Sequence, residues 1–183
     1  MATAKTGSFY LTETVTLAGS AASASIVQGT IDLGAYVNVP TGQALAIESV
    51  DFIFQNGSTY KATVDGMLVD NGGFDIQLAD LNPGTAMLRA DDHSLVASGA
   101  LNIDVTNCIA SHSSDFYPDN FGPAALSEAF MVVNDTLYLN LRNNNSALTS
   151  SAVHGTVRVR CRVVKLSTKD WMAIAIQSTA ADN

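Results

Sequence analysis

The chain has 183 residues, of which 47% are apolar and 14% charged, with a formal net charge of −8. That length fits one domain, residues 1–183, with room for a core, and the acidic balance argues against general nucleic-acid binding. Charged residues fall well under the usual share of about 25%. A chain so poor in charge either hides part of its surface in an oligomer or carries a Ser/Thr/Asn-rich surface. The acids are 14 Asp and 3 Glu. Asp favours turns and caps, so the skew points to many turns and little helix.

Residues 1–7 are small and polar and read as a flexible arm. The N-terminal stretch MATAKTGSFYLTETV has no apolar run of signal-peptide length, and no segment reaches the length of a membrane span. The expectation is a protein made in the cytoplasm. Phe9–Leu17 is a first strand, with Phe9, Leu11, Val15 and Leu17 on one face. Glu13 interrupts that face, as on an edge strand where an inward charge discourages stray pairing. Ala18–Ser25 is a link of small residues. Ile26–Val39 holds a short strand, TIDLGAYVNV, closed by the Pro40-Thr41-Gly42 turn.

Ala44–Gln55 is a strong strand in two phases. Leu45 and Ile47 share one, and Val50, Phe52 and Phe54 share the other. The switch at Glu48-Ser49 predicts a bulge or a strand that passes between sheets. Asn56-Gly57 is a tight-turn signal, with Tyr60–Val64 a possible hairpin partner. The Gly/Asp-rich run 65–84 has room for short strands at Met67–Val69 and Phe74–Leu78. Ala86–Arg89 is another candidate, and Leu101, Ile103 and Val105 alternate cleanly with Asn102 and Asp104. Ser111–Gly122 reads as a loop carrying Phe116, Tyr117 and Phe121. Pro123–Ala129 is the best helical turn.

Thr136–Leu141 alternates Leu137, Leu139 and Leu141 with polar residues. After an Asn-rich loop comes GTVRVRCRVVKL, Gly155–Leu166, where Val157, Val159, Cys161 and Val163 alternate with Arg158, Arg160 and Arg162. That period of two marks a half-buried strand with one basic face. Its likeliest neighbour is Thr136–Arg142, since sequential strands usually pair. Val163-Val164 breaks the phase and suggests a bulge or the strand's end. Trp171–Gln177 reads as a last apolar strand, and 178–183 as a loose tail. Five of the nine basic residues lie from Arg158 onward. The chain therefore carries −11 up to Val157 and +3 after it. With eight to ten short strands and no βαβ rhythm, the class is all-β, a two-sheet antiparallel sandwich of jelly-roll type.

No catalytic signature stands out, and the expectation is a protein that is not an enzyme, with no cofactor, no metal and no small-molecule substrate. Ser111-His112-Ser113-Ser114-Asp115 contains triad residue types, but local adjacency is not triad geometry. Asp91-Asp92-His93 is a weak metal cluster. Asp65, Asp70, Asn71 and Asp75 sit where oxygens could gather round Ca²⁺, without the closing Glu of the twelve-residue calcium loop. Cys108 and Cys161 lack metal spacing and read as small buried hydrophobes, with a disulfide the alternative. The N-x-[ST] triplets at Asn56, Asn134 and Asn144 read as chance.

The Arg158/Arg160/Arg162 ladder, with Lys165, is the candidate interface. Its guanidinium groups stand about 6.6–7 Å apart by strand rise. They meet Asp-rich loops of a neighbouring copy, or phosphates of nucleic acid or lipid, or they form a solvated face with cross-strand partners.

The runs TIDLGAYVNVPTGQALAIESVDFIFQ, VNDTLYLNL and VRVRCRVVKL resemble, in texture, jelly-roll capsid proteins of viruses, including the single jelly-roll type of tailless icosahedral viruses. The resemblance implies a virion subunit that assembles with copies of itself and with other coat proteins, and that has no catalytic residues to carry over. The alternative is a lectin-like carbohydrate-binding sandwich using Phe116, Tyr117 and Phe121, with or without Ca²⁺ near residues 65–75.

Overall fold

A computed structural model of the protein describes residues 2–115 and 129–179. Among the described residues there are ten strands: β1 (Thr3–Ala4), β2 (Phe9–Leu17), β3 (Ile26–Asp32), β4 (Gln43–Asn56), β5 (Gly72–Ala79), β6 (Leu95–Asp104), β7 (Ile109–Asp115), β8 (Phe130–Val132), β9 (Thr136–Asn144) and β10 (Val153–Lys165). Helix α1 (Thr168–Thr179) follows.

The chain runs out and back as one long antiparallel ribbon. β2 pairs with β10, β3 with β9, β4 with β8, and β5 with β6 at the far end. Rolled up, the ribbon forms two sheets. The first has the order β1-β10-β4-β8, with β2 beside β1 on the same edge of β10; the second has the order β3-β9-β5-β6-β7. This is the jelly roll expected from the sequence. β2, with a neighbour on one side only, is the edge strand that Glu13 suggested.

The sequential pairing expected between Thr136–Arg142 and the basic strand does not occur. β9 pairs with β3 and β5, and β10 pairs with β1, β2 and β4. β9 and β10 lie in different sheets because the rolled ribbon sends consecutive strands to opposite sides of the core.

The core fills the space between sheets. Leu17, Leu45, Ile47, Val157, Val159 and Cys161 come from the first sheet, and Phe74, Ile76, Leu78, Leu137, Leu139 and Leu141 from the second. Each set is one face of alternating strands, so burying it hides every second residue. Glycines mark close approaches of the layers: a Cβ on Gly29 of β3 would lie 2.6 Å from Val15 Cγ1 of β2. A Cβ on Gly155 would lie 3.0 Å from Ile76 Cδ1 and from Leu141 Cδ2, and one on Gly99 would lie 2.8 Å from Phe52 Cδ2.

Five local expectations are corrected. Trp171–Gln177 is helix, not strand: Ser167 Oγ accepts from Asp170 N–H at 3.2 Å, and Trp171 N–H donates to Ser167 O at 2.9 Å, opening the first turn. The tail reading of 178–183 accordingly gives way to helix at 178 and 179. Val163-Val164 is not a bulge, for the register runs unbroken from Cys161 to Lys165. Both valines are buried because α1 covers the outer face. There Ala44, Ala46, Val133, Val164 and Leu166 form a second apolar cluster under Trp171, Ile174 and Ala175.

The N-terminal arm is tied down over residues 3–6. Thr3 and Ala4 pair with Lys165 and Val164, and Lys5 N–H donates to Val163 O at 2.8 Å. The backbone of β10 left exposed beyond β2 attracts it, since an unpaired sheet edge needs partners. Lastly, 111–115 is strand β7 rather than loop, paired with Ser98–Asn102 of β6. Backbone pairing at a sheet edge does not need apolar side chains. The helical turn expected at 123–129 falls, but for its last residue, outside the described residues.

The close contact at Gly155 yields a direct test. Gly155→Val overfills the layer between Ile76 and Leu141 and should lower stability by about 1–3 kcal/mol, read as a lower midpoint in urea unfolding.

Candidate functional site

The outer face of the first sheet is where the charge pattern of the sequence acquires geometry. Arg158, Arg160 and Arg162 point outward from β10, opposite Asp51, Ser49 and Ala46 of β4. Lys165 does not join them. It lies on the other phase of the strand and is exposed at the sheet's end.

Between Arg160 and Cys161 the register with β4 shifts: Arg160 faces Ser49 while Cys161 faces Ile47. Glu48 is thus an extra residue on β4, the bulge that the phase switch predicted. The bulge lets Leu45 and Ile47 and also Phe52 and Phe54 face the core. It also holds the Glu48 carboxylate, 3% exposed, against the arginines. Arg160 Nε lies 3.0 Å from Glu48 Oε2, Arg162 pairs with Oε1, and Ser8 Oγ donates to Oε2 at 2.8 Å. Arg158 takes another partner, with its guanidinium carbon 5.0 Å from the centre of the Tyr10 ring, a cation–π contact. Two of the three arginines are thus ion-paired within their own chain, while Arg158 rests on an aromatic ring and keeps its charge unpaired by any carboxylate among the described residues. Sequence reasoning marked both the bulge and the arginines but did not join them, because their meeting depends on β4 and β10 being neighbours.

The same outer face has two halves. Helix α1 covers the apolar half. The other half carries Thr12, Thr14, Thr16, Thr156 and Ile53, with Thr14 and Thr156 hydroxyls 2.8 Å apart. Ile53 is 37% exposed and Tyr10 54%. The second sheet's outer face is instead roofed by residues 80–94. Gln77 both donates to and accepts from Leu88, and Asn140 Nδ2 donates to Gly84 O and Ala86 O.

The other candidates disperse. Asp75 pairs with Arg142 at 2.9 Å and accepts from Asn144. Asn71 Oδ1 accepts the backbone N–H of Val105 and Thr106, closing the β6–β7 turn. Asp65 and Asp70 stand exposed, and among the described residues no three Asp, Glu, His or Cys side chains gather where they could hold a metal ion. Asp91 pairs with Arg89, and Asp92 accepts from Ser94, leaving His93 exposed. His112 packs edge-on against Phe54 at 5.8 Å. Cys108 is exposed and Cys161 buried, and both are free thiols; Cys108 is thus not the small buried hydrophobe expected. Burial pushes the Cys161 thiol up to about 12. Phe116, Tyr117 and Phe121 lie outside the described residues.

Asp80 is a buried acid that the sequence did not mark. It is 2% exposed at the end of β5. Its backbone is held by Ser94 O and by Asn134 Nδ2. Burial pushes its carboxyl up to about 7; the backbone N–H bond opposes this and the Asp92 charge adds to it.

No protein-family model matches the chain, and no curated protein matches it.

Two outcomes test this geometry. Glu48→Ala strands two arginines beside a buried gap. It should cost about 2–4 kcal/mol, toward the low end because the arginines reach water, whereas Arg160→Ala should cost at most about 1 kcal/mol; paired urea titrations compare them. For Asp80 the folded state holds a proton that the unfolded carboxyl has lost. Its contribution to stability is therefore greatest below the ordinary value of 3.8 and falls as pH rises to about 7. Melting temperatures of Asp80→Asn should flatten that fall across the same window.

Proposed function

We propose that the protein is a structural virion subunit, a capsid or capsid-decoration protein that acts by self-association. The observation that carries this reading is the open half of the first sheet's outer face. It is threonine-rich, with Tyr10 and Ile53 exposed on it, and it lies in a chain with only 14% charged residues. Among the described residues, α1 lies over the apolar half of the same face, and residues 80–94 lie over the middle of the second sheet, at Gln77 and Asn140. A low-charge face of this kind suits burial against a second copy, for interface centres are depleted in charge and enriched in Tyr.

The jelly-roll strand order supports the same reading by analogy only, since one fold hosts many functions. The arginine ladder enters differently than the sequence suggested. Arg160 and Arg162 are occupied by Glu48, which leaves Arg158, at the border of the threonine face, as the cation available to an acidic loop of a neighbour. Contacts of that kind set register and encounter rate more than affinity. Copies of the chain, with other coat proteins, are the partners this reading names, and the virion is its location.

Light scattering across protein and salt concentration, with electron micrographs of the same samples, is the test. Discrete rings or shells are expected for the native chain, and Ile53→Arg should shift the mass to the monomer without lowering the melting temperature. A native chain that is monomeric under every condition overturns the proposal.

A further inference from the structure

Where the β4 end meets the start of β10, a cleft of about 470 Å³ opens, lined by Gly57, Ser58, Tyr60, Ser150, Ser151, Ala152 and His154. We propose that this cleft binds a neutral saccharide ring. The inference does not depend on self-assembly.

Three observations carry it. The first is the display of Tyr60. Its side chain is 60% exposed although aromatic, and its backbone sits at φ +53°, a conformation that a bulky residue adopts only where the surroundings enforce it. They do so here: Tyr60 N–H donates to Gly57 O at 3.1 Å, Gln55 Nε2 donates to Tyr60 O at 2.9 Å, and Asn56 and Lys61 close the turn as a backbone pair. Glycine would fit that turn without strain, yet the chain has an aromatic there.

The second is the imidazole of His154. Its ring centre lies 5.1 Å from that of Tyr60, and Nδ1 lies 2.8 Å from Thr16 Oγ1. Nε2 is shut off from water and has no hydrogen-bond partner among the described residues. The imidazole is therefore a fixed backing for the Tyr60 ring, held by Thr16 from behind, and not itself a hydrogen-bond partner for a ligand.

The third is the chemistry of the wall. Three serine hydroxyls line the cleft and no acid, lysine or arginine does. Hydroxyls exchange bonds with hydroxyls, and an aromatic face takes the C–H face of a sugar. A phosphate or a metal ion would find no countercharge. The volume falls within the ~300–1,000 Å³ range of small-molecule sites.

Saturation-transfer NMR reads the sugar, so it applies to the full chain in any state of association. The probes are the methyl glycosides of glucose, galactose, mannose and N-acetylglucosamine, each to about 50 mM, since an open site for one ring binds weakly. Transfer to the ring C–H protons of at least one glycoside is expected, falling about tenfold or more in Tyr60→Gly, with transfer also reduced in Ser151→Val. Tyr60→Gly suits the positive φ and should melt no lower than the native chain; if it melts early, Ser151→Val carries the comparison. No transfer to any of the four, or transfer unchanged in the variants, overturns the proposal.

Discussion

The carboxylate of Glu48 is the constraint on which the first sheet depends. Its place as an extra residue in β4 turns the strand by one phase. Without the bulge, Leu45 and Ile47 could not face the core together with Val50, Phe52 and Phe54, because a period of two sends odd and even positions to opposite sides. The bulge also brings a charge into a nearly closed position. A buried carboxylate is tolerable only if it is matched, and Arg160, Arg162 and Ser8 match it. Ser8 belongs to the segment before β2, so one side chain ties the entering strand, the central strand β10 and β4 together.

The cluster also marks a border. On one side of it the outer face is apolar, made of alanines and Val164, and helix α1 lies on it. On the other side it is threonine and open. An antiparallel sheet commonly keeps one face solvated, and here only half of one face is left in that state. The proposed contact surface is therefore what remains once the chain's own covering segments are placed, and the Tyr60–His154 cleft lies at the end of it farthest from the helix. Two distinct surfaces, an open sheet face and a cleft, can thus serve different partners on the same sheet.

Much of the fold was legible in the chain because strands with one buried face announce themselves by alternation. Val157 to Val163, Leu137 to Leu141 and Leu101 to Ile103 all face the core as their spacing indicates. The readings that failed did so where alternation carries no information. WMAIAI is apolar at every step, which fits a buried strand and a helix equally well; the Ser167 hydroxyl that accepts from Asp170 N–H starts it as a helix. Residues 111–115 are polar throughout, and their backbone pairing with β6 needs no apolar alternation. The double valine broke the alternation because both faces are covered there, not because the backbone is irregular.

The sequence by itself determined the class of the fold, the bulge at Glu48-Ser49 and the basic face of β10, since each is a local consequence of periodicity and side-chain chemistry. Only the tertiary structure decided what those features meet. Whether three arginines face a neighbour, a phosphate or their own chain depends on which strand lies beside β10, and that is set by how the ribbon of strands rolls up. The same holds for Asp80, whose burial comes from the loop 80–94, and for Tyr60 and His154, ninety-four positions apart in the sequence and in contact only because the two ends of β4 and β10 are register partners. Spacing along the chain encodes a strand's faces; pairing across the sheet encodes a site, and pairing is a property of the whole.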